Sequence, residues 1–216
     1  MISVLLADDH PVVRTGYGRL LEQAGDVRVV AEAGDTAAAC AGFVAHRPDV
    51  LVTDLSMPGG GGLELIRRVL QRDPQARVLV FSMHDGPLLV QRALDTGARG
   101  FLTKASSPDC LVVAIRTLFG GGRYLGPDLA PPAAHNDTAR EAANLAALSQ
   151  REFEVFRLLA QGHSSAECAQ VLHLSPKTVA NHQTLIKDKL GVATSAALAH
   201  LALRHRVIGS SGATGW

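Results

Sequence analysis

Five polar residues of this sequence have the types needed for phosphoryl chemistry. Asp8 and Asp9 directly follow one apolar run, and Asp54 follows another. Ser82 and Lys104 stand at the ends of two further apolar runs and would add a hydroxyl and a cation. Carboxylates held close together repel each other, and a hard divalent cation such as Mg²⁺ relieves that repulsion. An aspartate in such a setting can attack a phosphoryl group and form an acyl phosphate.

A parallel sheet would bring these residues together, and residues 1–120 carry the pattern of one. Short β-branched runs alternate with longer amphipathic stretches, which is typical of βα units. The predicted strands are Ile2–Ala7, Val27–Glu32, Val50–Thr53, Val78–Ser82 and Gly100–Thr103. The predicted helices are Pro11–Ala24, Thr36–His46, Leu63–Arg72, Pro87–Thr96 and Pro108–Phe119. Because right-handed crossovers place the carboxyl ends of parallel strands along one edge, we expect the polar residues to meet there.

The chemistry expected at that edge assigns a role to each residue. Asp54 is the candidate nucleophile, and Lys104 would pair with the transferred phosphoryl group. One Mg²⁺ ion is expected there, and its candidate ligands are Asp8, Asp9, Asp54 and the backbone carbonyl of Ser56. Acidic residues after strands often only cap helices, but helix capping does not explain a matched residue at each of several strand ends.

Residues 1–120 resemble the receiver domain of two-component response regulators. The resemblance is carried by Asp8-Asp9, by Asp54-Leu-Ser-Met-Pro58 followed by Gly62, and by Ser82 and Lys104. It implies a doubly wound, flavodoxin-like α/β fold with five parallel strands. It also implies that Asp54 accepts the phosphoryl group from a sensor histidine kinase and that Ser82 moves toward the new phosphate. The protein would then catalyse only its own phosphorylation and dephosphorylation.

Two departures from the usual receiver pattern lie around the lysine. The position of the aromatic switch residue is occupied by Phe101, which has no hydroxyl. Lys104 is followed by Ala105 rather than proline, as in the NarL/FixJ branch of these regulators. The resemblance therefore implies the phosphoryl chemistry but leaves the details of the switch open.

The last part of the chain has a purely helical pattern with clear helix starts and ends. Ser149 with Glu152, and Ser164 with Glu167, have the spacing of capping boxes. These boxes predict helices running to Ala160 and to about Leu172. Ser175-Pro176 starts a third helix that ends at Gly191, and a fourth spans about Ser195–Arg206. The short connection between the second and third predicts a helix-turn-helix at about Ser164–Lys189, within an all-α unit of four helices.

The run Leu148-Ser-Gln-Arg-Glu152 and the run Leu174-Ser-Pro-Lys-Thr-Val179, with Asn181-His182 and Lys189-Leu-Gly-Val192, resemble the LuxR-type DNA-binding module. The resemblance covers about residues 148–208. Along the third helix, apolar residues recur at intervals of seven and four and predict a core-facing side. The candidate DNA-binding residues are Lys177, Thr178, Ala180, Asn181, Thr184 and Lys187. Asn181 could bond an adenine edge, whereas Ala180 could offer only an apolar contact, for example to a thymine methyl group. The base sequence that is recognised is therefore not transferable from the resemblance.

The domain organisation follows from these patterns and from composition. We predict a receiver domain at 1–120, a linker rich in Gly, Pro and Ala at 121–143, a DNA-binding domain at 144–209 and a tail at 210–216. The net charge of the chain is +1. Residues 144–216 carry seven Lys/Arg against four Asp/Glu, a balance of +3, which is compatible with double-stranded DNA as a partner.

Other bulk features narrow the class of protein. No apolar run is long enough to span a membrane, and the first residues lack a basic signal-peptide region, so we predict a cytoplasmic protein. The three cysteines match no metal-ligand spacing, and the histidines show no zinc pattern.

The function predicted from all of this is a transcriptional response regulator. Phosphorylation would favour a homodimer, and the apolar helix surface around Ala196–Leu203 could either form the dimer or face the core of its own domain. Two other classes of protein fit less well. A Mg²⁺-dependent phosphohydrolase would normally carry a second acid at position 56, which is Ser. A receiver that only docks partners would not need the acidic set.

Overall fold

The computed structural model describes residues 1–129 and 136–208, and for 136–140 the backbone only. These residues form two compact units, one of 1–83 with 90–129 and one of 136–208 with 84–89. The predicted tail at 210–216 and the linker residues 130–135 lie outside the described residues.

The N-terminal unit is built on a parallel sheet with the strand order β2-β1-β3-β4-β5-β6. Its strands are β1 (Ile2–Ala7), β2 (Val27–Ala33), β3 (Val50–Thr53), β4 (Val78–Ser82), β5 (Gly100–Thr103) and β6 (Tyr124–Leu125). Every residue of β3, β4 and β5 is buried, as expected of parallel strands that are covered on both faces. The five predicted strands are confirmed, and a short sixth strand is added beside β5.

Five helices follow the strands and cover the sheet. They are α1 (Pro11–Gln23), α2 (Thr36–His46), α3 (Gly61–Arg72), α4 (Pro87–Thr96) and α5 (Pro108–Phe119). The apolar side chains of β1, β3, β4 and β5 pack with α5 into one buried cluster, in which Leu102 and Ile115 have no exposed surface. Burial of each such side chain contributes about 1.5–3 kcal/mol relative to exposure in water. The sheet is therefore a rigid base for whatever its strand ends carry.

The C-terminal unit is entirely helical. Its helices are α6 (Asn136–Ala146), α7 (Gln150–Ala160), α8 (Ser165–Leu172), α9 (Pro176–Leu190) and α10 (Ser195–Arg204). Both predicted capping boxes are present, because the Ser149 and Ser164 hydroxyls accept from the backbone at the third helical position and the glutamates there accept in return. Ser175 caps α9 by accepting from the Thr178 amide at 3.0 Å.

The segment 121–143, predicted as a linker, contains secondary structure that the sequence did not indicate. β6 pairs with β5 through Gly100↔Tyr124 and Phe101↔Leu125. The helix α6 precedes the four predicted helices, and Glu141 ties it to the end of α10. The Glu141 carboxylate accepts from Arg204 at 2.6 Å and lies 3.0 Å from His205 Nε2. These contacts join residues far apart in sequence, so local composition could not reveal them.

Candidate functional site

The carboxyl ends of β1 and β3 place two aspartates side by side. Ala7 is in register with Thr53, and the Asp54 amide continues the ladder by donating to the Ala7 carbonyl at 2.9 Å. The Asp8 amide donates in turn to Ala33 of β2 at 2.9 Å. Both aspartates are buried, with 3% of each exposed. Parallel register alone therefore brings two buried carboxylates to the same edge of the sheet.

Lys104 supplies the cation that this pair of carboxylates requires. Its Nζ atom lies 2.6 Å from Asp8 Oδ2 and 2.8 Å from Asp54 Oδ2, and its side chain is 4% exposed. Its backbone amide donates to Ser82 at 2.8 Å, which fixes where the chain leaves β5. Burial disfavours the charged lysine, but Asp54 and Asp8 outweigh burial and raise the pKa of Lys104. The ammonium group is therefore held charged between the two carboxylates.

The other oxygen of Asp54 is fixed by the backbone. Its Oδ1 accepts from the amide of Leu55 at 2.6 Å and from that of Ser56 at 3.3 Å. The turn is kept tight by Gly62 at the start of α3, because a Cβ atom there would lie 2.1 Å from the Asp54 carbonyl oxygen. The Oδ1 atom of Asp54 is thus held by two backbone amides, and its Oδ2 atom is paired with the Lys104 ammonium group.

Asp9 completes an acidic cluster with a neighbour that the sequence analysis did not single out. One ligand atom each of Asp8, Asp9, His10 and Asp54 lies within 4.8 Å of the others. Asp9 Oδ1 lies 2.8 Å from His10 Nδ1, yet it is buried and accepts no hydrogen bond within the described residues. Burial, together with the charges of Asp54 and Asp8, raises the pKa of Asp9 in spite of His10. The cluster could hold a metal ion, since a cation would relieve the repulsion among these carboxylates.

The remaining predicted residues of this unit lie in β4, in the Asp54 turn and in β5. Ser82 is the last residue of β4 and is fully buried. Ser56 directly follows the Asp54 turn, where its amide faces the carboxylate. Phe101 lies in β5, paired with Val80, and none of its surface is exposed. The geometry therefore places Phe101 in the core rather than in the acidic cluster.

Two groups of supporting residues were missed by the sequence analysis. Arg14 of α1 donates to the Asp8 carbonyl at 2.5 Å and to Glu32 of β2 at 3.1 Å, so it ties the acidic loop to the sheet. A chain of hydroxyls beside Lys104 ends on the carboxylate of Asp128. Neither group has a motif of its own, and only the short spacing of Arg14 from Asp8 could have signalled a contact.

The C-terminal unit presents the predicted DNA-binding residues along α9. Val179, Ile186 and Leu190 are buried, as the spacing predicted. Lys177, Ala180, Asn181 and Thr184 are exposed, while Thr178 and Lys187 are partly buried. The Thr184 hydroxyl donates to the Ala180 carbonyl at 3.2 Å. Leu185, which the sequence analysis did not name, is 48% exposed next to this set.

An ion pair between the buried Glu152 of α7 and the exposed Lys189 holds α9 against α7. Lys189 Nζ lies 2.7 Å and 2.8 Å from the two oxygens of Glu152, which also accepts from the Ser149 amide at 2.6 Å. Burial opposes ionisation of this carboxyl, but the bonds from Lys189 and Ser149 lower the pKa of Glu152 to about 2. One glutamate therefore caps α7 and anchors the end of α9.

Within the two described stretches, no helix is both long and apolar enough to cross a bilayer.

Family models match both units. Residues 4–116 match the response regulator receiver domain, and residues 146–202 match the luxR family of bacterial regulatory proteins. Two similar curated proteins span nearly the whole chain. The transcriptional regulatory protein UhpA of Salmonella typhimurium is 44% identical, covering 93% of this chain and 97% of its own length. The transcriptional activator protein ExaE of Pseudomonas putida is 42% identical, covering 94% and 96%.

A solved structure shows the same similarity in three dimensions. RcsB from Salmonella enterica serovar Typhimurium, bound to the promoter P1flhDC in the presence of phosphomimetic BeF3⁻, is 30% identical to this chain. The match covers 94% of this chain and 98% of that one, with a TM-score of 0.70.

Proposed function

This chain belongs to the NarL/FixJ type of response regulators, which join a receiver domain to a LuxR-type DNA-binding domain, and we propose that phosphorylation of Asp54 controls its activity. The observation that carries the proposal is the buried bridge of Lys104 between Asp8 and Asp54. A cation held there can stabilise the charge of a phosphoryl group as that group arrives. The domain bounds proposed for this function are 1–120, 121–143 and 144–209.

The reaction proposed at Asp54 is a phosphoryl transfer between a histidine nitrogen and a carboxylate oxygen. Because Oδ1 is held by the amides of Leu55 and Ser56, Oδ2 is the oxygen that attacks phosphorus. The O–P bond forms as the N–P bond of a kinase phosphohistidine breaks, and the freed imidazole takes up a proton. The Lys104 ammonium group bonds Oδ2 before the transfer. It then moves with the negative charge and bonds a phosphoryl oxygen. Water attack on the acyl phosphate later restores the carboxylate and releases phosphate.

One Mg²⁺ ion is proposed at the acidic cluster, held by Asp8, Asp9, Asp54 and the backbone carbonyl of Ser56. The fit rests on oxygen donors and on the Asp9 Oδ1 atom, which accepts no hydrogen bond within the described residues. When bound, the ion supplies positive charge to the transferring oxygens. Ser82 is proposed to bind the phosphoryl group. Phe101 is proposed to act as the aromatic switch residue from its place in the core, without the hydroxyl that a tyrosine would add.

The C-terminal unit is proposed to bind double-stranded DNA by inserting α9 into the major groove. Lys177, Thr178 and Lys187 would contact phosphates, while Ala180, Asn181 and Thr184 would face base edges. RcsB, of similar sequence and fold, has been solved as dimers on DNA. By that likeness, the phosphorylated chain is proposed to act as a homodimer on paired half-sites. A cytoplasmic location is proposed for it, with a sensor histidine kinase as its phosphodonor.

Phosphorylation in vitro tests this function directly. The full chain is incubated with Mg²⁺ and acetyl phosphate, and its intact mass is followed over time. We expect one added group of about 80 Da per chain on Asp54. Asp54→Asn should abolish the label, and the matched control Asp95→Asn, a change at an exposed carboxylate of α4, should retain it.

Two results would contradict the proposal, one from a parallel incubation with a small phosphate ester and one from the labelling itself. Continuous release of phosphate from small phosphate esters would indicate a phosphohydrolase. Absence of any label on the folded wild-type chain would indicate a receiver that acts by docking alone.

A further inference from the structure

The segment after α5 is attached to the sheet beside the strand that carries Lys104. Beyond the β6 pairing, the Gly126 amide donates to Phe101 at 2.8 Å and continues the ladder. A glycine suits this approach, since a Cβ atom at 126 would lie 3.1 Å from the Leu102 side chain. The Leu129 amide then closes a turn on the Gly126 carbonyl at 3.1 Å. This turn carries Asp128.

The carboxylate of Asp128 reaches the loop between β5 and α5. Ser106 Oγ donates to Asp128 Oδ2 at 2.6 Å, and Thr103 Oγ1 lies 3.0 Å from Ser106 Oγ. Each hydroxyl has one hydrogen, and that of Ser106 is used on the carboxylate. Thr103 therefore donates to Ser106, and its 3.5 Å separation from Asp128 is the weaker alternative. Thr103 and Ser106 are 3% and 8% exposed, so Asp128 provides the charged acceptor for a buried polar chain.

The two hydroxyl residues of this hydrogen-bonded chain flank Lys104 in the sequence. Thr103 precedes the lysine, Ser106 follows it by two residues, and the Ser106 amide closes the turn on the Thr103 carbonyl at 3.2 Å. The direction in which the lysine side chain leaves this turn decides whether Nζ reaches both Asp8 and Asp54. A shift of the turn would therefore displace the cation from the reacting carboxylate.

We propose that Asp128 is a positioning residue of the phosphorylation site, acting through Ser106 and Thr103 on Lys104. The inference rests on the proposed role of Asp54 as phospho-acceptor and extends it to the segment that leaves the receiver. It also implies a reciprocal effect of phosphorylation on the segment 124–129, because coupling between two sites acts equally in both directions. Movement of Lys104 onto a phosphoryl group changes the attachment of residues 124–129.

The kinetic test measures phosphorylation of the full chain by acetyl phosphate with Mg²⁺. Asp128→Ala and Ser106→Ala should each lower the maximal rate by about threefold to tenfold, with little change in the phosphodonor concentration at half-maximal rate. This is less than the roughly hundredfold loss that a full 1 Å misplacement can cause. The double variant should be no slower than the slower single variant, because both changes break the same chain. Asp128→Glu should restore part of the rate.

The control is Asp73→Asn, which changes a loop aspartate that accepts from the Gln75 amide far along the chain from Lys104. Wild-type rates in Asp128→Ala, or rate losses that multiply in the double variant, would overturn the inference. If the wild-type chain itself takes no label, the proposed function fails instead. Thermal unfolding of each variant separates a slowed reaction from a misfolded chain.

The reciprocal effect is tested by hydrogen exchange of the full chain with and without phosphorylation. Backbone amides of residues 124–129 should change their exchange rate on phosphorylation in the wild type. In Asp128→Ala that change should be lost. An unchanged exchange rate in the fully labelled wild type would overturn the coupling.

Discussion

The acidic cluster and the outward face of α9 are built in opposite ways. The cluster collects residues from the ends of separate strands, and its central charges are buried and paired at 2.6–2.8 Å. The α9 face belongs to one helix, and Lys177, Asn181 and Thr184 stand exposed on it. In the first region the fold dictates which residue types fit. In the second, the fold dictates only that a helix is presented, so its residues are free to set specificity.

The largest expected effect comes from removing the glycine that closes the Asp54 turn. Gly62→Ala would force a Cβ atom against the Asp54 carbonyl, and we expect a loss of about 4 kcal/mol or more in unfolding free energy. The control is Gly16→Ala in α1, where a Cβ atom meets nothing within 4 Å. That change should stabilise the chain by about 0.5–1 kcal/mol. Urea unfolding measures both, and equal effects would contradict the close approach.

The second-largest effect is expected from removing the buried cation of Lys104. Lys104→Met leaves Asp8 and Asp54 facing each other and deprives the incoming phosphoryl group of its partner. We expect the rate of phosphorylation to fall by about a hundredfold to a thousandfold, as when one preorganised donor is lost from an active site. The matched control Lys177→Met, on exposed α9, should be phosphorylated at the wild-type rate. The assay is intact mass against time with acetyl phosphate.

The Glu152–Lys189 pair predicts how the stability of the C-terminal unit depends on pH. The pKa of Glu152 falls from 4.5 to about 2 on folding, so its contribution is present above about 4.5 and is lost as the pH drops towards 2. The shift in the pKa sets an upper limit of about 3 kcal/mol on what this pair contributes to the free energy of unfolding. About 2 kcal/mol is expected, because solvent around the partly exposed Lys189 weakens the pair.

The comparison of Glu152→Gln with the wild type isolates this contribution. At neutral pH the variant should be less stable, and the two should converge as the pH falls below about 4.5. Hydrogen exchange of α7 and α9 in the full chain is the measurement. Glu167→Gln, in the other capping box and with no lysine on it among the described contacts, should cause a smaller loss. A difference in stability that grows as the pH falls would contradict the expected contribution of the Glu152–Lys189 pair.

The smallest effect is expected on the exposed face of α9. Asn181→Ala should weaken binding to a selected operator by about 1 kcal/mol, the lower end of the range for a base contact, and relax preference at one base pair. Lys177→Met should instead weaken binding to all sequences alike and reduce its dependence on salt. Fluorescence anisotropy with the operator and its single-base variants measures both. A uniform loss in Asn181→Ala would assign that residue to phosphate contact.

The same contrast explains what sequence could predict. Continuous apolar runs fixed strands such as Ile2–Ala7 and Val50–Thr53 to the residue, and parallel topology then brought Asp8, Asp54 and Lys104 together. The serine caps marked the helices α7, α8 and α9 because capping needs particular side chains at fixed spacing.

What sequence could not predict depends on contacts between distant residues. β6 is two residues long and exists because β5 offers it an edge. The helix α6 lies in a segment whose composition is typical of a linker, and Glu141 reaches Arg204 across 63 residues. The bond from Ser106 to Asp128 spans 22 residues and has no motif.

The central claim is that the state of Asp54 sets the affinity of α9 for DNA. The direct measurement is binding of the full chain to its selected operator before and after complete labelling by acetyl phosphate with Mg²⁺. We expect labelling to tighten binding by about fivefold to 150-fold, the usual range of coupling between two sites. In Asp54→Asn the same treatment should leave the affinity unchanged. Equal affinity of the labelled and unlabelled wild-type chain would contradict the account.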